Sequence, residues 1–273
     1  MKGNQQPRPE LIWHHRVIEI AVEGAARSAR IYSTAPNDIV RDTLFSLSRD
    51  AVIIHRAVGD LVVAGWSGAA AALLRTLMDI QISTLAVVNS SDPKLAAFRY
   101  FYFTYRAFSR DDKHYTPESR RQARETIRGR IASLPPEDRR AALRFLREKD
   151  RSYWFAEEFR TPTAVVERFA NSDIVGLYRQ LSGAAHGGFF GLRLFSDNPE
   201  DREVNAQLPI GDKAVSVALA SARFLVEVTS LRSRAEGLGL DEACQRFREA
   251  LHLAAMPLVP ERHRKATGGS DGV

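Results

Sequence analysis

Apolar positions recur at helical spacing along most of the chain, and no stretch alternates as a half-buried strand would. Leu11 to about Ala35 forms a long amphipathic run that stops at Pro36-Asn37. Asp38 is placed to cap a second helix reaching about Val58, with Gly59 as the break. Asp60 to about Asn89 reads as one long helix, small and apolar on most faces and hence central. Ser90-Ser91-Asp92-Pro93 ends it and starts the next, with Pro93 at the first helical position. Thr116-Pro117-Glu118 opens a basic helix to about Leu134, and Pro135-Pro136-Glu137 opens another to about Asp150. A turn-rich interval follows, anchored by Trp154 and Phe155, before Ser172 caps a helix that reaches His186 and stops at Gly187-Gly188. The pattern is irregular from Phe189 to Pro209, and helices resume at about Gly211–Arg234 and Asp241–Ala255. The expected architecture is an all-α multi-helix bundle. It comprises an N-terminal helix within residues 1–37, a helical domain over 38–255 and a tail over 256–273 expected to be disordered.

With 273 residues, 44% hydrophobic and 26% charged, the chain has the composition of an ordinary globular protein with a core of its own. A single cysteine, Cys244, rules out an internal disulfide and any multi-cysteine metal site. The first six residues contain no apolar core of a signal peptide, and the longest uncharged apolar stretch, Leu61–Leu74, is short for a membrane span. The expected compartment is the cytoplasm.

Charge changes the picture more. The net charge is +6, and between Arg110 and Arg151 eleven Arg and two Lys stand against four Asp and four Glu. Almost the whole excess therefore lies in that basic segment. A band of this kind can track a phosphate backbone, because neutralised phosphates release condensed counterions. The same residues also fit a solvated helical face, since Arg121/Glu125 and Arg144/Glu148 stand at ion-pair spacing. The aromatic run Phe98, Tyr100, Phe101, Tyr102, Phe103, Tyr105 and Phe108 has two readings as well, base stacking or core packing.

Several chemistries find no support. The chain has no GxxxxGK[ST] loop, GxGxxG, HExxH or EF-hand pattern, and its seven histidines show no HxxxH spacing. His14 and His15 are adjacent and point about 100° apart on a helix, a poor ligand geometry. No metal and no cofactor is expected. Leu61 to Ala69, with Gly65-Trp66-Ser67-Gly68, resembles a strand entering a nucleophile elbow. The helical context favours another role, in which Gly65, Gly68, Ala69 and Ala72 let two helices approach closely.

The strongest constellation is Tyr178-Arg179-Gln180-Leu181-Ser182-Gly183-Ala184-Ala185-His186. Arg179 and His186 are seven residues apart, which leaves them about 20° from alignment on one helix face, and Ser182 lies between them. Arg supplies a permanently charged planar fork for phosphate oxygens, and His titrates near neutrality and can move a proton. The pair is suited to cleaving a phosphodiester without metal. A histidine in the last turn of a helix also interacts favourably with the helix dipole, a purely structural role.

The Arg179-x6-His186 spacing in an all-α chain resembles the signature of the HEPN superfamily. Tyr178-Arg179-Gln180-Leu181-Ser182-(x3)-His186 is similar to a stretch of the bacterial domain of unknown function family 5677, in which an upstream helix carries an Arg followed four residues later by an acid. Arg75 and Asp79 match that second element. The resemblance implies a helical, often dimeric protein in which two Arg-His motifs meet across the dimer as a metal-independent ribonuclease. On that reading Arg179 and His186 are catalytic, and Tyr178, Ser182, Arg75 and Asp79 are supporting, with Asp79 orienting His186 or Arg179. The implied ligand is RNA or a nucleotide. The implied setting is a toxin or antiphage effector, with an antitoxin or defence-system partner. Gln180 stands where Asn, Asp or His is commoner after the Arg. Some HEPN relatives serve as catalytically inactive modules that bind a nucleotide or a partner protein, and that is the alternative expectation.

Overall fold

The computed structural model describes residues 12–32, 38–110, 113–132, 134–147, 154–155, 158–170, 174–178, 181 and 212–255. All regular structure among them is helical. In chain order the elements are α1 (Ile12–Tyr32), α2 (Ile39–Val63), α3 (Ser67–Val88), α4 (Pro93–Arg110), α5 (Pro117–Ala132), α6 (Pro136–Arg147), α7 (Pro162–Phe169), α8 (Asp212–Glu236) and α9 (Asp241–Ala255). Residues 174–178 are also helical. The expected tail over 256–273 lies outside the described residues.

Local chemistry sets the starts. The Asp38 carboxylate accepts the backbone N–H groups of Val40 and Arg41, and Asp92 accepts that of Leu95 two residues into α4. Pro93, Pro117, Pro136 and Pro162 each occupy a first helical position, where a missing N–H costs nothing. α7 is a helix that periodicity does not predict. It is only eight residues long, and Thr161 caps it by accepting the Ala164 N–H.

α3 lies at the centre, with α2 and α8 packed along it and α4 and α7 against other sides. Leu47, Ala51, Val58 and Val62 of α2 meet Ala70, Leu74, Leu77 and Met78 of α3 and Val217, Leu225 and Val228 of α8 in one core. Gly68–Val88 has a mean hydropathy of 1.5, enough to cross a membrane by length and composition, and 67% of it is buried inside the bundle. The uncharged-run criterion passes over it because Arg75 and Asp79 interrupt the segment. α1 lays a heptad-like stripe of His14, Val17, Ala21, Gly24 and Ser28 against α2 and α8, and so joins the same core. Its far end is fixed by a buried network in which Ser28 donates to Glu236 at 2.6 Å, while Arg232 pairs with the same carboxylate at 2.8 Å.

A smaller apolar cluster holds α5 and α6 onto α4. Ile127, Ile131 and Ala142 pack on Leu95, Phe98 and Tyr102. Phe98 and Tyr102 are thus interior residues rather than stacking platforms.

Two expectations about glycine are corrected. Helix α2 does not break at Gly59 but continues to Val63, and the turn falls at Ala64-Gly65-Trp66, where Gly65 adopts φ 81°. Gly59 is a packing requirement. A Cβ there would come within 2.2 Å of the His14 ring. That ring stacks on His55 of α2 at 3.7 Å between centroids, inside the core. The His14 carbonyl can only accept, so His55 Nε2 carries the proton it donates there at 2.8 Å. His55 Nδ1 then accepts from the Ser221 hydroxyl of α8 at 2.7 Å. One imidazole thereby links three helices.

Burial holds both rings neutral. It pushes His14 down to about 3, aided by the charges of His55 and His15, and lowers His55 to about 4 against the opposing hydrogen bonds. The unfolded chain takes up protons at both sites near the ordinary value of 6.5, where the fold does not. Stability therefore falls as pH drops from about 6.5 towards 4, at about 2 kcal/mol per pH unit while both sites differ. Urea midpoints measured between pH 7 and 5 check this, and a flat profile contradicts it. Gly59→Ala is expected to lower stability by about 1–3 kcal/mol, because a methyl group must displace the stacked ring. An unchanged melting temperature in that variant contradicts the packing role.

Candidate active site

α3 is buried on most sides, and its few open positions form one stripe. At about 100° per residue, Gly68, Ala72, Arg75, Thr76, Asp79 and Ser83 fall within about 100° of one another, and all six are half-buried or exposed. Four of them are polar, and they include the only charged residues of the helix, Arg75 and Asp79. The fold thus brings its central helix to the surface along a strip that carries Arg75 and Asp79.

Arg75 is the pivot. It pairs with Asp79 one turn along α3 and reaches across 103 positions in sequence to Tyr178, donating from Nη2 to the phenol oxygen at 2.5 Å. Its guanidinium carbon also lies 4.0 Å from the centre of the Tyr178 ring, a cation–π stack. The Arg75 side chain is 14% exposed and that of Asp79 is 51% exposed. The pair therefore sits at an opening rather than in the core. The carboxylate has oxygen surface left for a further partner, and Arg75 serves as the strut that joins it to Tyr178. Ile174 and Leu181 are buried in the main core and fix the segment that carries Tyr178.

Of the six residues singled out by sequence, the structure brings together Arg75, Asp79 and Tyr178. Arg179, Ser182 and His186 lie outside the described residues. The elbow-like segment at Gly65-Trp66-Ser67 lies between two helices, the context that the periodicity favours. It follows helix α2 rather than a strand, and Ser67 is the first residue of α3. Among the small residues there, Ala70 and Ala71 are fully buried, Gly68 and Ala72 are half-buried and Ala69 is exposed. Cys244 is buried, and burial pushes its thiol up to about 11, so it is not poised as a nucleophile.

Sequence reading passes over the His14–His55–Ser221 group, whose members lie on three helices with no motif to join them. Ser221 and His55 are both fully buried, and the hydrogen bonds already use both ring nitrogens of His55. The group is structural, with no path for a substrate. Among the described residues, no three His, Cys, Asp or Glu side chains cluster as metal ligands.

No protein-family model matches the chain, and no curated protein or solved structure shows a significant similarity to it.

Because half of the Asp79 side chain is exposed, Asp79→Ala is expected to cost under about 1 kcal/mol. Tyr178→Ala removes a ring from the core edge and the stack on Arg75, and is expected to cost about 3–5 kcal/mol. Equilibrium urea unfolding of the two variants checks the contrast. A loss for Asp79→Ala equal to that for Tyr178→Ala would show the carboxylate to be a packing element instead.

Proposed function

We propose that the chain is a HEPN-like, metal-independent endoribonuclease whose reacting groups are Arg179 and His186. One observation carries this reading. Arg75 on the open strip of α3 holds Tyr178, the residue immediately before Arg179, through both its ring and its hydroxyl. Two residues far apart in the chain thus meet, and Tyr178 is next in sequence to Arg179.

The chemistry follows from the residue types. The ribose 2′-hydroxyl attacks the adjacent phosphorus, and the bond from phosphorus to the 5′-oxygen breaks. The products are a 2′,3′-cyclic phosphate and a 5′-hydroxyl. The proton lost by the 2′-hydroxyl and the proton gained by the 5′-oxygen balance, so no water is consumed in this step. Neutral His186 accepts the first or protonated His186 supplies the second, and in a homodimer the two copies divide these tasks. Arg179 binds the phosphate oxygens as negative charge builds on them. Tyr178, held by Arg75, and Ser182 position the pair, and the open oxygens of Asp79 orient Arg179 or His186.

The test uses full-length protein and total RNA in EDTA. Wild type is expected to cleave, and its expression to slow growth. His186→Ala and Arg179→Ala are each expected to lower the cleavage rate by at least about 100-fold and to relieve toxicity. Asp79→Asn is expected to lower kcat and displace its pH profile while leaving the fold intact. RNA binding by wild type without cleavage, or cleavage that survives His186→Ala, contradicts the nuclease assignment. The first of these results is the signature of an inactive HEPN-like binding module.

A further inference from the structure

We propose that the helical arm formed by α5 and α6 is a docking surface for the phosphate backbone of RNA, with Arg124, Arg128 and Arg140 as its contacts; the choice of RNA rests on the function proposed above. The arm is joined to the bundle chiefly through α4. Ala123, Ile127 and Ile131 are its buried positions on α5, so the remaining faces of that helix point to solvent.

The arginines of α5 are not evenly spread. At about 100° per residue, Arg124, Arg128 and Arg121 fall within an arc of about 60° on one side of the buried face, Glu125 and Glu118 border its outer edge, half-buried Arg120 falls within the buried face and Arg130 on its other side. The structure then separates arginines already engaged from those left open. Arg121 is held between Glu118 at 2.7 Å and Glu125 at 3.5 Å. Arg139 donates to the carbonyls of Ala132 at 2.9 Å and Leu134 at 3.2 Å, which closes the last turn of α5 and seats the start of α6 against it. Arg124 commits only its Nε, to the Arg120 carbonyl at 3.2 Å, and keeps its terminal nitrogens. Arg128 and Arg140 have no acidic partner among the described residues, and all three are exposed. Arg124 and Arg128 stand one turn apart, about 5–6 Å between Cβ atoms, and the seating of Arg139 places Arg140 at the same end of the arm.

A phosphate backbone suits this arrangement better than a lipid surface. Interfacial helices need an apolar face to insert, and the apolar face of α5 is already used against Phe98 and Tyr102. Two guanidinium forks one turn apart on α5, bordered by carboxylates and joined by a third at the start of α6, fit a string of single phosphates rather than a broad anionic plane.

The experiment takes full-length His186→Ala protein as the parent, so that binding is read without cleavage. Anisotropy of a fluorescein-labelled single-stranded 30-mer RNA is measured between 50 and 200 mM KCl. Against that parent, Arg124→Gln/Arg128→Gln/Arg140→Gln is expected to reduce the slope of log K against log salt by about 2, or about 0.7 per phosphate contact on a single strand. The parent then loses about 15- to 20-fold more affinity than the variant across that salt range. Circular dichroism melts of the two are expected to coincide, because the substituted side chains are exposed. Equal slopes and affinities overturn the arm, as does arginine-dependent binding to phosphatidylserine vesicles that exceeds binding to RNA. RNA bound through the arm by a wild type that does not cleave it contradicts the nuclease assignment alone. Cleavage with binding indifferent to the three arginines contradicts the arm alone.

Discussion

The burial of α3 is the constraint on which the rest of the molecule depends. A helix this apolar must be covered along most of its length, and the four helices that cover it leave one strip open. The identity of the core follows, because α2 and α8 must each present an apolar face to the same partner and to each other. The placement of charge follows too. Arg75 and Asp79 are tolerated within α3 because they emerge on the open strip, where Asp79 keeps contact with water. The strip is thereby built on the central helix, which is packed by α2, α4, α7 and α8.

Two sets of buried polar side chains hold helices in register. His55 joins α1, α2 and α8 through its two ring nitrogens, and the Ser28–Glu236–Arg232 network does the same at the other end of α1. Such groups do not add much net stability compared with well-packed apolar residues, but they are costly when half of the arrangement is removed. The exposed arginines differ from them. On the arm Arg139 closes a helix end and Arg121 pairs with glutamates, whereas Arg124, Arg128 and Arg140 project into solvent.

Much of the fold is legible in the sequence because its punctuation is local. Asp38, Pro93, Pro117, Pro136 and Asp241 mark helix starts by chemistry that acts within one turn. Gly59 misleads for the opposite reason: the ring it accommodates comes from His14, 45 positions earlier, and no local pattern reveals that. α7 is missed because eight residues give too few turns for periodicity, although Thr161-Pro162 carries a starting signal. The same distinction applies at the candidate site. The spacing of Arg75 and Asp79 is a local fact, and so is that of Arg179 and His186. The meeting of Arg75 with Tyr178 is tertiary, and the packing of Ile174 and Leu181 in the core fixes the segment that makes it.

The most direct test of the central claim is end-group analysis of RNA fragments produced by the purified protein in EDTA. Transesterification through Arg179 and His186 predicts 2′,3′-cyclic phosphate and 5′-hydroxyl termini. Fragments that end in 3′-hydroxyl and 5′-phosphate groups, or intact RNA after prolonged incubation, would contradict it.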